Sequence, residues 1–141
     1  TTQSAYLTQM TQNMITKPAD QDLVKTWMAA ADRKTFVFGY VDLLKSDSRP
    51  LLASIKVPVL LMVAGQPYGS GALDTMTKQY EALVNKTFAF AADSKHYIML
   101  DQPEWFHSEL GKFLANWGFS NNLTSSFKGS QSDTKSLFDP D

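Results

Sequence analysis

The residue best placed for chemistry is His96, one of only two histidines in the chain. It follows an apolar segment at 87–92 that is typical of a strand, and it precedes a helix that begins at Pro103. Ligands of open α/β sheets bind beyond the carboxyl ends of the strands, which is where this ring falls. A histidine there can take a proton from a nucleophile's hydroxyl when a carboxylate holds its other nitrogen. A surface or capping histidine fits the same pattern, and His107, inside the helix, is expected to be an ordinary surface residue.

The composition excludes several other kinds of chemistry. The 141 residues suffice for one domain, and 43% hydrophobic with 19% charged residues is typical of a globular protein. A net charge of -1 does not favour nucleic acid as a partner, because phosphate binding needs many lysines and arginines. The absence of cysteine excludes disulfides, thiolate zinc sites and a cysteine nucleophile. The sequence has no apolar run long enough to span a bilayer and no visible secretory signal, and it does not indicate a compartment.

The first third of the chain has helical periodicity. Apolar residues recur at helical spacing over 3–15, 19–31 and 33–45, and Pro18 is expected to break the chain between the first two helices. The third helix, 33–45, is apolar on nearly every side. We therefore expect it to be buried on most sides, in this chain or against another.

The pattern changes after Pro50 to alternating strands and helices. The predicted elements are a strand at 59–64, a Gly- and Pro-rich loop at 65–71, an amphipathic helix at 72–84, a strand at 87–92 and a closing helix at 103–117. Strand, helix and strand in this order predict a parallel βαβ unit. The polar tail at 119–141 is predicted to be extended or disordered.

Two apolar parallel strands are too few for a stable sheet, because they require neighbours on their edges and layers on both faces. We therefore expect the chain to be the C-terminal part of a larger, doubly wound α/β domain. The chain begins with TTQSAY rather than methionine. The expected partner is an N-terminal portion of the same fold, either a separate chain or a segment that precedes this one.

From about Asp47 to Leu114 the chain resembles the C-terminal part of an α/β-hydrolase-fold protein. The matching stretches are SDSRPLLASIKVPVLLMVAG, then a helix, then TFAFAADSKHYIMLDQPEWFHSELGKFL. The helices before Asp47 resemble the lid that such proteins insert between their middle strands. The resemblance implies lid helices at 1–46, part of the hydrolase core at 47–118 and a tail at 119–141.

The resemblance implies that His96 is the base of a Ser-His-acid triad in a serine hydrolase acting on an ester, thioester or related acyl bond. It implies no cofactor and no metal. The usual G-x-S-x-G nucleophile turn does not occur in the sequence, and Ser70 in the GSG at 69–71 is expected to be a turn residue. The nucleophile is therefore expected in the N-terminal portion, and a small acyl substrate is the expected ligand.

The acid is not evident from the sequence. Tyr68 occupies the position where the family commonly has aspartate, and a phenol cannot stabilise an imidazolium as a carboxylate does. Tyr68 is instead a candidate for lining the substrate pocket. Asp74 is a candidate acid if the loop is rearranged, although we expect it rather to favour the first turn of its helix through the macrodipole. An acid at the end of a preceding strand, upstream of this sequence, is a further alternative.

Three other aspartates have structural interpretations. Asp47 is expected to pair with Arg49 or to cap the next turn. Asp93 and Asp101 flank His96 and are expected to be turn residues, with Asp101 also a candidate to brace the loop that carries the histidine.

Two different kinds of protein remain as alternatives to a serine hydrolase. Tyr68 at the acid position favours a non-catalytic α/β-hydrolase-fold binding or interaction protein. The second alternative is a hydrolase that uses Thr1 as an N-terminal nucleophile. Such nucleophiles normally begin a strand, however, and Thr1 precedes a helical pattern.

Overall fold

The computed structural model describes residues 3–117 and shows a mixed α/β chain with one parallel pair of strands. It divides into two units, 1–103 and 104–141. In chain order the elements are α1 Gln3–Met14, α2 Pro18–Ala30, α3 Arg33–Lys45, a 3-10 helix Arg49–Ser54, β1 Val59–Ala64, α4 Ser70–Gln79, β2 Lys86–Ala91, α5 Ile98–Asp101 and α6 Pro103–Asn116.

Helices α1 and α2 pack against each other and confirm the first two predicted helices. Their buried side chains include Leu7, Ile15 and Val24. The predicted break between the helices is present at 15–17, and Pro18 ends it as the first residue of α2. A proline has no N–H to donate, and the first helical position has no acceptor for one, so proline is well tolerated there.

Helix α3 has the predicted bounds and begins at a capping residue, since the Asp32 carboxylate accepts a hydrogen bond from Thr35 N at 2.8 Å. No residue of α3 is buried, and Leu43 and Leu44 are 67% and 70% exposed. Burial within the described part of this chain is therefore ruled out. Burial against another polypeptide stays a prediction.

The two strands pair in parallel and confirm the predicted βαβ order. Strand β1 has the predicted bounds and β2 begins one residue early, with Val59 opposite Lys86 and Ala64 opposite Ala91. The expected cover on both faces is incomplete. In β1 only Val63 is buried, and most of the other strand residues are half-buried.

Helix α4 begins and ends earlier than the predicted 72–84. Gly69 precedes it with φ of 58° and ψ of -143°, a conformation that side chains disfavour, and Ser70 is the first helical residue rather than a turn residue. After Gln79 the chain turns and buries Leu83, which is 1% exposed. Lys86 Nζ donates to the Leu83 carbonyl at 2.7 Å, which helps to hold this turn.

Two helices, one short and one long, end the described range. The single-turn helix α5 was not predicted. Helix α6 begins at Pro103 as predicted, and its Glu109 and Lys112 form an ion pair one turn apart. The predicted tail at 119–141 lies outside the described residues.

Gly65 is required where the two strands end. A Cβ atom on Gly65 would lie 2.4 Å from the backbone oxygen of Ala92, far inside contact distance. Gly71, in α4, has nothing within 4 Å of the same position. The close approach at Gly65 is therefore local to the carboxyl edge of the sheet.

We expect Gly65→Ala to lower the free energy of unfolding by about 1–3 kcal/mol, because backbone atoms must shift to admit the methyl group. Gly71→Ala is the matched control and should leave stability unchanged or raise it by up to about 1 kcal/mol. Urea unfolding of both variants measures the difference. Equal midpoints for the two variants would contradict the close approach.

Candidate functional site

The loops that follow β1 and β2 lie together at the carboxyl edge of the sheet. Gly65 N donates to the Ala91 carbonyl and Gln66 N donates to the Ser94 carbonyl, both at 2.9 Å. The second of these loops, residues 92–97, is called the histidine loop below. The parallel register therefore brings the loop of Tyr68 and the loop of His96 to one edge, where α/β folds bind ligands.

His96 is exposed at a bend in the histidine loop. Its ring meets the Tyr97 ring edge-on, with the centroids 5.4 Å apart. In residues 3–117 no carboxylate hydrogen-bonds to the His96 ring. The ring is thus accessible at the strand ends, and no carboxylate partner for either of its nitrogens is found within this range.

Asp101 holds the backbone beside His96. Its Oδ2 accepts a hydrogen bond from Lys95 N at 2.8 Å, and Ser94 Oγ lies 3.4 Å from the same oxygen. Ser94 is fully buried and Asp101 is 8% exposed. The predicted bracing role of Asp101 is confirmed, but it is the last residue of α5 rather than a simple turn residue.

The other carboxylate oxygen of Asp101 binds a distant part of the chain. Oδ1 accepts hydrogen bonds from Thr16 N at 2.8 Å and from Thr16 Oγ1 at 2.7 Å, across 85 residues of sequence. Burial raises the pKa of the Asp101 carboxyl, but the hydrogen bonds from Thr16, Lys95 and Ser94 together outweigh it and hold the pKa below its ordinary value. Asp101 is therefore a carboxylate at neutral pH.

Further hydrogen bonds join the end of α1 and Lys17 to the histidine loop and α5. Tyr97 N donates to the Met14 carbonyl at 3.2 Å, Lys95 Nζ to the Gln12 carbonyl at 2.5 Å, and Lys17 Nζ to the Leu100 carbonyl at 2.9 Å. Lys95 thereby satisfies a carbonyl at the C-terminal end of α1, where a positive charge is favourable. Residues 15–17, called the helix junction below, are thus bound to the segment that carries His96.

Among the described residues, neither Asp74 nor Tyr68 hydrogen-bonds to His96. Asp74 is exposed in α4, beyond the first turn of the helix, and makes no hydrogen bond to His96. Tyr68 is 77% exposed in the loop after β1. Both assignments stay predictions, because the geometry of the described residues brings neither side chain to the imidazole.

The remaining aspartates have the structural roles expected of them. Asp47 pairs with Arg49 through two side-chain hydrogen bonds of 2.8 and 2.7 Å, and the same guanidinium lowers the pKa of Asp47 to about 2. Asp93 is an exposed turn residue. His107 is exposed on α6, and Thr1 lies outside the described residues.

Sequence reasoning missed Thr16 and Lys17, the helix-junction residues that contact the histidine segment. Neither residue type carries a signal for such a contact, since a threonine and a lysine between two helices usually face water. Helix α5 was also not predicted, and it is the element that places Asp101 between the histidine loop and the helix junction.

Comparison of the chain with protein-family models, with curated protein sequences and with solved structures finds no significant match. Within residues 3–117, no helix is long and apolar enough to cross a membrane. The same range holds no cluster of three or more histidine and acidic side chains that could bind a metal ion.

We expect Asp101→Asn to destabilise the protein at pH 7 by about 1.5–3 kcal/mol, because an amide cannot accept on both sides. The folded-state pKa of Asp101 lies below its unfolded value of about 3.9, so its contribution is complete above that pH and is lost as pH falls through the folded pKa. Urea unfolding at pH 7 and pH 3 should show the penalty shrinking at pH 3.

Asp93→Asn is the matched control for this experiment, because Asp93 lies in the same loop and is exposed. It should behave as the unsubstituted protein at both pH values. An Asp101→Asn penalty that is equal at pH 7 and pH 3 would show that the charge of this carboxylate is not what stabilises the loop.

Proposed function

We propose that this chain is the C-terminal part of an α/β-hydrolase-fold serine hydrolase that acts on an ester, thioester or related acyl bond. In this proposal His96 is the general base. The observation that carries it is an exposed imidazole on a braced loop at the carboxyl edge of a parallel strand pair. A base that must meet a nucleophile from another segment needs this combination of access and fixed position.

The mechanism follows from the position of the ring. A serine in the N-terminal portion attacks the acyl carbon while His96 accepts its hydroxyl proton. His96 then donates that proton to the leaving group, and backbone amides of the N-terminal portion stabilise the oxyanion. A water molecule then attacks the acyl carbon while His96 accepts its proton. His96 returns this proton to the serine oxygen, which releases the acid product and the free serine. The chain alone is expected to be inactive.

An unpaired strand edge and exposed apolar side chains support the proposal that β1 and α3 belong to a larger domain. Among the described residues β1 pairs only with β2, so its second edge has no strand neighbour. Helix α3 contributes further uncovered apolar side chains. A doubly wound sheet supplied by the N-terminal portion would pair the free edge of β1, and the rest of the domain would cover α3.

Two sources of the acid are compatible with this mechanism. Asp74 can serve if the loop that contains Tyr68 is rearranged in the complete domain. A carboxylate at the end of a preceding strand, in the N-terminal portion, is the alternative. Tyr68, which is 77% exposed at this edge, is then a pocket residue.

A non-catalytic binding or interaction protein of the same fold is the second candidate. Two observations favour it: Tyr68 at the usual acid position, and the lack of a carboxylate on His96 in residues 3–117. Covalent labelling separates the two candidates, because only a hydrolase needs an activated serine.

The native protein, purified with any polypeptide that accompanies the chain, should be labelled by a fluorophosphonate probe on one serine. His96→Gln should slow labelling by about 10²–10⁴-fold, which is the usual contribution of a general base. His107→Gln is the matched control and should label at the normal rate. Mass spectrometry of the probe adduct locates the serine, and a native protein that remains unlabelled would support the binding protein instead.

A further inference from the structure

The hydrogen bonds around Asp101 join two parts of the chain that have different roles in the proposed hydrolase. On one side is the histidine loop, where Lys95 N and Ser94 Oγ face Oδ2. On the other side is the helix junction, where Thr16 donates twice to Oδ1. We propose that Asp101 is a positioning residue that couples the position of the α1–α2 helix pair to the orientation of the His96 ring.

The geometry of the carboxylate is what allows coupling. Hydrogen bonds to an ionised acceptor are stronger than those between neutral groups, and all three short bonds to Asp101, of 2.7–2.8 Å, have this character. Both oxygens belong to one rigid planar group. A displacement of Thr16 therefore moves the oxygen that holds Lys95 N, and Lys95 directly precedes His96.

Two further hydrogen bonds connect the histidine loop to the end of α1 besides those of Asp101. Lys95 Nζ reaches the Gln12 carbonyl, and Tyr97 N donates to the Met14 carbonyl. The residues on both sides of His96 are thus bound to the end of α1. The His96 side chain itself remains exposed, so these contacts fix the backbone of the loop without occupying the ring.

The consequence for function rests on the proposed hydrolase, whereas the coupling itself does not. If α1 and α2 are lid helices, as the resemblance implies, the position of the lid and the orientation of the His96 ring change together. The lid would then act on His96 through the helix junction. Small displacements of a catalytic group cost about 10- to 100-fold in rate, so this coupling would be visible in kinetics.

The decisive variant is Thr16→Val, which removes one hydrogen bond to Oδ1 and leaves the histidine loop unchanged in sequence. Thr16 is exposed, so the fold should tolerate the change. Hydrogen–deuterium exchange of the native protein should show the Lys95 amide exchanging at least about twofold faster in this variant, since members of one hydrogen-bond network are energetically coupled. Unchanged exchange at Lys95 would overturn the coupling.

Asp101→Asn extends the test to both sides of the bridge. The amides of Thr16 and Lys95 should both exchange faster, whereas a residue that braces only its own loop would affect Lys95 alone. Asp93→Asn, in the same loop, should alter neither amide. Faster exchange confined to residues 94–101 in Asp101→Asn would contradict the proposal.

Fluorophosphonate labelling gives the readout that a purely structural role would not produce. The rate constant should fall about 10- to 100-fold in Asp101→Asn and by a smaller factor in Thr16→Val, with the final labelled fraction unchanged. The double variant should be no slower than Asp101→Asn, because both changes break one connection. Additive losses would overturn the coupling. If the unsubstituted protein is not labelled, the hydrolase proposal fails and the exchange results alone decide the coupling.

Discussion

The carboxylate of Asp101 is the interaction on which the geometry of the histidine loop depends. It is nearly buried, and while one of its oxygens binds the adjacent histidine loop, the other binds Thr16, 85 residues away in the sequence. A buried charge is costly unless its hydrogen-bonding capacity is filled, and here both oxygens have donors. The loop, the helix junction and α5 therefore have one mutually consistent arrangement, in which the side chain of His96 is left accessible.

The sheet and the Asp101 contacts contribute to the site in different ways. The parallel register brings the loops after β1 and β2 to one edge, and the absence of a side chain at Gly65 allows them to approach closely. The Asp101 contacts then fix the backbone of the histidine loop. A rigid support beneath an exposed side chain is the arrangement that binding and catalytic sites require.

Local pattern was sufficient to predict much of this structure. Strand β1 and helix α3 have the predicted bounds because continuous apolar runs and helical spacing are local signals. The end of α4 was not predictable in this way, since the burial of Leu83 is a tertiary effect. The partnership of Asp101 with Thr16 was equally out of reach, because no local rule relates residues so far apart. The exposure of α3 was unexpected for the same reason: its apolar character predicts burial but does not identify what covers it.

The central claim is that His96 serves a serine located in another segment of a larger parallel sheet. A crystal structure of the complete native protein after reaction with a fluorophosphonate tests it most directly. The account predicts additional strands beside β1 and a phosphonylated serine whose Oγ lies within about 3.2 Å of a ring nitrogen of His96. A sheet of two strands, or a His96 ring with no hydroxyl nucleophile near it, would contradict the account.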